Sequence, residues 1–169
     1  MPRPARVIFN NSAVFVTTSV EEGIKLPPNP LIELLLWNCL AKAQTHHPVV
    51  TSHLIVQPTH VHIVVYIDNP DDLPGFMERF KTESAHAINR LLGLKKKTVW
   101  CERYDSPFFV DIDKAIEKIV YLYTNPSKDG LVEVIDQYPG ISTWNHFLSN
   151  KTTFKTHLIS RDDIDPLPE

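Results

Sequence analysis

The chain has 169 residues, of which 43% are hydrophobic and 22% charged, a composition typical of one globular domain. It contains no run of about 18 apolar residues, which excludes a membrane-spanning helix, and its formal net charge of −3 provides no overall positive field to attract nucleic acid. Its five glycines lie at least ten residues apart, which argues against the glycine-rich phosphate loops of ATP-, GTP- and NAD-binding proteins.

The first two predicted elements are a strand and a buried helix. Residues 13–20 carry valines at alternating positions, which predicts a strand. A proline-rich bend follows, in which Asn29 suits the N-cap of a helix and Pro30 its first position. The helix continues through residues 31–44 and is apolar on most sides, so we expect it to be buried.

Two strands and a second helix come next. Residues 49–57 and 60–67 are predicted as strands joined by a Pro-Thr turn. A turn-forming segment at residues 69–72 then opens a helix that continues to about Leu92, because its apolar side chains recur at helical spacing.

The last predicted elements are a short strand at residues 98–103 and a helix at residues 111–125, which Pro126 should end. The order is therefore β-α-β-β-α-β followed by one further helix. We predict an α+β fold of the ferredoxin-like type, with one antiparallel sheet, two helices on one face and the other face uncovered.

Two histidines on the third predicted strand are candidate metal ligands. Side chains alternate along a strand, so His60 and His62 point to the same side. The residues that point to the other side are apolar and suit the face under the helices; they are Val61, Ile63, Val65 and Ile67. The histidines should therefore lie on the uncovered face. Two imidazoles there can reach one divalent metal. The alternative is a pair of half-exposed sheet histidines without a ligand.

The last predicted helix carries a tyrosine that its own packing does not explain. With 3.6 residues per turn, the helix has a predicted buried stripe of Ile112, Ala115, Ile116, Ile119 and Tyr123. Tyr121 lies on the opposite side, which it shares with Lys114, Lys118 and Asn125. The alternative for Tyr121 is a surface tyrosine that contacts a neighbouring segment.

A metal ion beside Tyr121 would give this tyrosine a role in catalysis. The phenol has an ordinary pKa of about 10, so as a nucleophile it needs a cation that polarises the phosphodiester. Asn125 offers a carbonyl oxygen as a third ligand, which suits Mg²⁺ or Mn²⁺, and Lys118 or Lys114 could hold a phosphate. Alternatively, Asn125 is only part of an Asn-Pro helix terminator.

Basic residues in the middle of the chain are candidate contacts to nucleic acid, with Phe15 and Trp100 as stacking surfaces. The alternative is that the basic residues form a solvent-exposed helix face and that the aromatic residues are buried. We read His53 as a structural histidine, although its strand parity could bring it near the site. The basic candidates are Lys81, Lys95, Lys96, Lys97 and Arg103, with Arg79 and Arg90 nearby.

Three segments together resemble a known family. They are PTHVHIVV at residues 58–65, YLYTNPSKDGLV at residues 121–132 and YPGISTW at residues 138–144. Over about residues 10–145 the chain resembles the single-tyrosine HUH transposases, and within them the REP-associated tyrosine transposases and their insertion-sequence relatives.

The resemblance implies roles for the candidate residues. His60 and His62 would be the metal ligands, Tyr121 the nucleophile, and Asn125 the additional metal-binding amide. It also implies the ferredoxin-like sheet, with the tyrosine helix docked near the histidine strand in cis or swapped across a homodimer. Residues 1–145 would form the transposase domain and residues 146–169 a partly flexible C-terminal extension.

The implied reaction is cleavage of single-stranded DNA at a hairpin or palindromic repeat, without a nucleotide cofactor. Tyr121 attacks a phosphodiester, forms a 5′-phosphotyrosine and frees a 3′-OH, and reversal onto another 3′-OH transfers the strand. Two alternatives remain: a domesticated protein that binds a DNA hairpin without cutting it, and a metal phosphodiesterase in which water attacks.

The cellular location follows from two absences in the sequence. Cys39 and Cys101 lack CxxC spacing, which excludes a thiolate zinc site and fits reduced thiols. Residues 1–10 lack an apolar signal core. We therefore expect a cytoplasmic protein with no membrane partner.

Overall fold

A computed structural model describes residues 7–153, 155–156, 159–160 and 164. Within that part of the chain, no helix is long and apolar enough to cross a bilayer. The regular elements, in chain order, are β1 (Ser12–Ser19), α1 (Pro30–His46), β2 (Val49–Val56), β3 (His60–Ile67), α2 (Asp72–Leu91), α3 (Ile112–Lys128), a 3-10 turn (Ile135–Gln137) and α4 (Trp144–Leu148).

The three strands form one antiparallel sheet in the order β1-β3-β2. Side-chain alternation on the central strand β3 follows the prediction. Val61, Ile63, Val65 and Ile67 are fully buried in the main core, which α1 and α2 cover. The other face of the sheet contributes Val64 and its neighbours to a smaller apolar cluster under α3. The α+β fold with one antiparallel sheet is therefore confirmed.

The start of α1 is fixed by the cap that the sequence predicts. Asn29 has extended backbone, and its side-chain oxygen accepts a hydrogen bond of 2.9 Å from the Leu31 backbone N–H. This bond satisfies one of the amide groups that the first turn of a helix leaves without a partner. Pro30 follows at the first helical position, where its missing N–H costs nothing.

The predicted fourth strand is less regular than expected. Residues 99–109 run antiparallel along the outer edge of β1, but they join it through isolated bridges at Trp100, Asp105 and Phe108. The backbones of Thr17 and Asp105 exchange two hydrogen bonds of 2.9 Å. Pro107 has no N–H to donate, which interrupts a continuous ladder. The segment therefore covers the edge of the sheet without forming a full strand.

The opposite edge of the sheet is covered in a similar way. Residues 141–143 run along β2, where Ile141 accepts a hydrogen bond of 3.0 Å from the Val56 N–H, and the Thr143 N–H donates one of 2.9 Å to Leu54. Ser142 forms an isolated bridge with Ile55. Irregular chain thus pairs with part of each outer strand, which is a common way to protect an exposed sheet edge.

Helix α3 differs from the prediction in two respects. The proposed buried stripe is wrong for its first half, because Ile112 is 75% exposed and Ile116 54% exposed, and burial begins only at Leu122. The helix also continues past Pro126 to Lys128. Only two residues of the helix remain beyond the proline, so the proline interrupts little of it. The N–H of Asp129 still donates to the Asn125 carbonyl at 2.9 Å.

The described part of the C-terminal segment lies against the helical layer. The Ile159 N–H donates to the Asn38 side chain at 2.7 Å, and its carbonyl accepts from Lys42 at 2.9 Å. The Ile164 carbonyl accepts from the Arg90 side chain at 2.6 Å. These contacts join the chain end to α1 and α2.

The unequal burial of α3 predicts unequal costs for two substitutions. Leu122→Ala should reduce the free energy of unfolding by about 2–5 kcal/mol, because it removes a fully buried side chain and leaves a cavity. Ile116→Ser should change it by less than about 0.5 kcal/mol, because that side chain is mostly in solvent. Urea denaturation of both variants measures the difference. Equal losses would mean that the first half of the helix is packed.

Candidate active site

Strand β3 brings the two histidines together on the face of the sheet that α1 and α2 leave open. The rings of His60 and His62 are 4.6 Å apart between centroids. His62 is 4% exposed, because it packs beneath α3, whereas His60 is only half-buried at the end of the strand. The sequence pattern placed both rings on one face, and the structure agrees.

Asn125 joins helix α3 to the histidine strand. Its amide nitrogen lies 2.9 Å from His60 Nε2 and 3.0 Å from His62 Nε2. The same nitrogen donates a hydrogen bond of 2.6 Å to the side-chain oxygen of Gln57, the residue that follows β2. Asn125 is 5% exposed. Its side chain is therefore a buried part of the site and more than a helix terminator.

Two threonine hydroxyls hold the far side of the imidazole rings. Thr17 Oγ1 lies 2.9 Å from His62 Nδ1, and Thr59 Oγ1 lies 2.9 Å from His60 Nδ1. Because each Nε2 faces an amide donor, each Nδ1 carries the hydrogen and donates it to the hydroxyl. The lone pairs of both Nε2 atoms therefore point toward Asn125. Such outer hydrogen bonds fix the tautomer that a metal-binding histidine needs.

Burial keeps both imidazoles neutral. Desolvation lowers the pKa of His60, and the carboxylate of Asp129 only partly opposes this effect. The pKa of His62 falls to about 3, because of its burial first and then because of the neighbouring His60 and the ammonium group of Lys118. A neutral imidazole is the form that can donate a lone pair to a cation.

Tyr121 lies next to the histidines of its own chain. Its ring is half-buried, and its centroid lies 5.5 Å from that of His62 and 6.2 Å from that of Phe15. Two ammonium groups flank the ring, with Lys118 Nζ 5.4 Å and Lys128 Nζ 5.0 Å from its centroid. The phenol, the two imidazoles and the Asn125 amide thus form one group without a second subunit.

The other predicted contacts on α3 are not all part of this group. Lys118 also lies 5.6 Å from the centroid of Phe15, so it sits over the centre of the site. Lys114 lies nearer the start of the helix and forms an exposed ion pair of 2.6 Å with Glu117. Tyr123 is buried, and its hydroxyl lies 2.8 Å from His53 Nδ1, which agrees with a structural role for both residues.

The two aromatic residues predicted as stacking surfaces are buried instead. Phe15 is 4% exposed and forms the floor beneath Tyr121 and His62. Trp100 is also 4% exposed, and its indole N–H donates to Ser84 in the main core. A base could not stack on either ring, because neighbouring side chains already cover both.

The basic residues in the middle of the chain lie on the helical side of the molecule, apart from Tyr121 and the histidines. Lys81, Lys96 and Lys97 line a groove between α2 and the segment that leads to Trp100. A second groove, lined by Lys81 and Arg103, adjoins it. Lys81 Nζ also donates to the carbonyls of Cys101 and Glu102. Lys95, Lys96, Lys97 and Arg103 are exposed.

Residues 28–124, more than half of the chain, match the family described as transposase IS200 like. The chain belongs to this transposase family. It is also similar in structure to a REP-associated tyrosine transposase bound to a REP hairpin, with a TM-score of 0.77 and 19% sequence identity over 95% of this chain and 94% of the other. That likeness supports the ferredoxin-like fold.

Two other comparisons add no argument. A crystal structure of a candidate transposase from Deinococcus radiodurans R1 has a TM-score of 0.45 and 14% identity, over 70% of this chain and 95% of the other. No curated protein matches the chain in sequence. The transposase role of this chain rests on its match to the IS200-like family.

Four further residues contact the candidate site and are not among those predicted from the sequence pattern. Lys128 flanks Tyr121 from the last turn of α3. The predicted helix ends at residue 125 and therefore does not include it. Thr17 faces His62 through the register of β1 and β3, which the sequence does not give. Thr59 and Gln57 adjoin the histidine pair in the chain, and that proximity was the available signal.

The donor set suits a divalent cation. In the described part of the chain, no three His, Cys, Asp or Glu side chains cluster around a possible metal position. The lone pairs of His60 Nε2 and His62 Nε2 do converge, however, and Asn125 could turn its amide oxygen toward them. Neutral imidazole nitrogens are common ligands of divalent metals, and an amide oxygen is a ligand that Mg²⁺ and Mn²⁺ accept.

The lowered pKa of His62 predicts a loss of stability in acid. Between about pH 6.5 and pH 3, the unfolded chain binds a proton at His62 that the folded protein excludes. Stability should therefore fall as the pH falls, whereas above pH 6.5 both states are neutral. Between pH 7 and pH 5 the His62 contribution is on the order of 2 kcal/mol.

Urea denaturation in EDTA measures this contribution. His62→Gln should flatten the dependence of the unfolding free energy on pH, whereas His46→Gln, at an exposed histidine, should follow the wild-type curve. Identical curves for all three proteins would mean that folding does not exclude a proton from His62.

Proposed function

We propose that this transposase cuts and rejoins single-stranded DNA with Tyr121 as its nucleophile. The observation that carries the proposal is the contact between the rings of Tyr121 and His62 in one chain, 5.5 Å apart between centroids. The phenolic oxygen attacks a backbone phosphorus and loses its proton to solvent. The bond from phosphorus to the 3′ oxygen breaks, and this oxygen leaves as a 3′-OH. Reversal onto another 3′-OH transfers the strand.

His60, His62 and Asn125 would hold a divalent cation, Mg²⁺ or Mn²⁺. Support comes from their converging donor atoms and from the threonine hydroxyls that orient the rings. When bound, such a cation polarises the phosphodiester and stabilises its developing negative charge. Burial of His62 keeps its lone pair available at neutral pH.

The lysines around Tyr121 would hold the phosphate in place. Lys118 and Lys128 both lie within 5.4 Å of the ring centroid, so their ammonium groups can neutralise a phosphate brought against the phenol. Lys114 would contact a phosphate further along the DNA strand, once its exposed ion pair with Glu117 is broken.

The proposed partner is single-stranded DNA with a hairpin or palindromic repeat. A tyrosine transposase structure that is similar over 95% of this chain is described as bound to a REP hairpin, and the present chain carries basic grooves that could follow a phosphate backbone. The proposed contacts on the helical side are Lys81, Lys95, Lys96, Lys97 and Arg103.

The reaction is proposed for residues 1–145, with residues 146–169 as an extension. Every group proposed for the chemistry comes from one chain, because α3 lies over the strand of the same molecule. A homodimer is compatible with this arrangement, but exchange of the tyrosine helix between subunits is not needed to complete the site.

The decisive experiment uses a labelled hairpin-flanked single strand and Mn²⁺, with adducts resolved on a denaturing gel. Wild-type protein should form a covalent complex, and Tyr121→Phe should form none while its DNA affinity changes less than about twofold, because only the attacking oxygen is lost. Tyr66→Phe is the matched control, since Tyr66 is an exposed tyrosine on the same face of β3.

Two results would contradict the proposal and select an alternative. Full cleavage by Tyr121→Phe would mean that water attacks, as in a metal phosphodiesterase. Tight hairpin binding by wild-type protein with no adduct would mean that the chain binds DNA without cutting it.

The basic grooves predict how DNA binding depends on salt. Lys96→Gln and Lys97→Gln should each weaken binding, and each should reduce the slope of log affinity against log salt by about 0.7, because one phosphate contact to a single strand is lost. Lys151→Gln, an exposed lysine beyond α4, is the control and should leave the slope unchanged. Unchanged slopes for all three variants would place the DNA elsewhere.

A further inference from the structure

Three hydrogen-bond acceptors surround one amide group at the centre of the site. The Asn125 nitrogen faces Gln57 Oε1 at 2.6 Å, His60 Nε2 at 2.9 Å and His62 Nε2 at 3.0 Å. An amide nitrogen carries two hydrogens, so it cannot satisfy all three acceptors at once. One lone pair is therefore left without a hydrogen from Asn125, and a cation can bind such a lone pair.

The orientation of Gln57 is fixed from its other end. Its amide nitrogen donates a hydrogen bond of 2.9 Å to Asp129 Oδ2. A carboxylate only accepts hydrogen bonds, so the nitrogen of Gln57 must face Asp129 and the oxygen must face Asn125. Gln57 is 1% exposed, and water does not compete for either end.

Asp129 is itself held at the end of the tyrosine helix. It follows α3 directly, and its backbone N–H donates to the Asn125 carbonyl at 2.9 Å. Its carboxylate also acts on His60, where it opposes the lowering of the pKa. The negative charge that accepts the N–H of Gln57 polarises the amide and increases the electron density on its oxygen, which makes that oxygen a stronger electron-pair donor to a cation.

We propose that Gln57 is a further oxygen ligand of the divalent cation and that Asp129 positions it. This inference rests on the proposed function, since it concerns the same cation. When Asn125 turns its oxygen toward the histidines, its nitrogen leaves Gln57, whose buried oxygen then lacks a donor. A cation between the histidines supplies the missing partner. Amide oxygens are suitable ligands for Mg²⁺ and Mn²⁺.

A purely structural role is the competing explanation. Gln57 could act only through Asn125, by holding the amide of that residue in place. The two roles differ in one respect: a ligand contributes to cation binding even when the Asn125 side chain is removed, whereas a support for Asn125 does not. A double-mutant cycle separates them.

The experiment measures Mn²⁺ affinity of the full chain without DNA, by titration calorimetry and by the electron paramagnetic resonance of free Mn²⁺. Gln57→Met keeps the size of the side chain and removes the oxygen, and it should weaken Mn²⁺ binding at least tenfold. It should weaken binding by a similar factor in the Asn125→Ala background. Asn38→Met, which removes a buried amide in α1, is the control for general loss of packing and should bind Mn²⁺ normally.

Asp129 is tested by rescue. Asp129→Asn should weaken Mn²⁺ binding about 10-fold to 100-fold, as is usual for a residue that orients a ligand. In Gln57→Glu/Asp129→Asn, the amide at position 129 can donate to the carboxylate at position 57, so binding should return to at least the wild-type level. A melting temperature in EDTA that matches the wild type shows that each variant is folded.

Three outcomes overturn the proposal. The first is an unchanged Mn²⁺ affinity in Gln57→Met, and the second is an effect of Gln57→Met that disappears in the Asn125→Ala background. In both cases Gln57 is not a ligand, and the proposed function stands if Tyr121 still forms the adduct. The third outcome is that wild-type protein binds no Mn²⁺ at all. Adduct assays on the same samples show whether the tyrosine chemistry fails with it.

Discussion

The buried amide of Asn125 is the contact on which the arrangement of the site depends. Asn125 follows Tyr121 by four residues on α3, so the two side chains lie on one side of the helix, one turn apart. The hydrogen-bonding distances from Asn125 to His60 and His62 set how the helix lies on the sheet. The first half of α3 is largely exposed, and it contributes little packing of its own. The position of the phenol therefore follows from one polar anchor and a small apolar cluster.

Strand periodicity gave the reliable part of the prediction. Alternation along β3 separates the histidines from Val61, Ile63 and Val65, because a strand can bury one face only if every second residue is apolar. The N-cap at Asn29 could also be predicted from the sequence, because an N-cap depends on residues that are neighbours in the chain. The family resemblance carried by the histidine and tyrosine segments agrees with the IS200-like match.

The parts that failed depend on how elements meet. A helical wheel shows which residues of α3 share a side, but not how far the sheet extends beneath them, so Ile112 and Ile116 were wrongly predicted as buried. Thr17 reaches the site through the pairing of β1 with β3, which are distant in sequence, and the contact of Gln57 with Asn125 likewise depends on how α3 meets the sheet. Phe15 and Trp100 were predicted as DNA contacts because they are aromatic. Aromatic side chains pack equally well inside a hydrophobic core, which is where both of them lie.

The two paired edges of the sheet limit how this chain can associate with itself. Residues 99–109 occupy the free side of β1, and residues 141–143 occupy the free side of β2. A second molecule could not add its own strand along the full length of either side without first displacing one of these segments and breaking its backbone hydrogen bonds. Growth of the sheet into a continuous intermolecular array is thereby disfavoured at both edges.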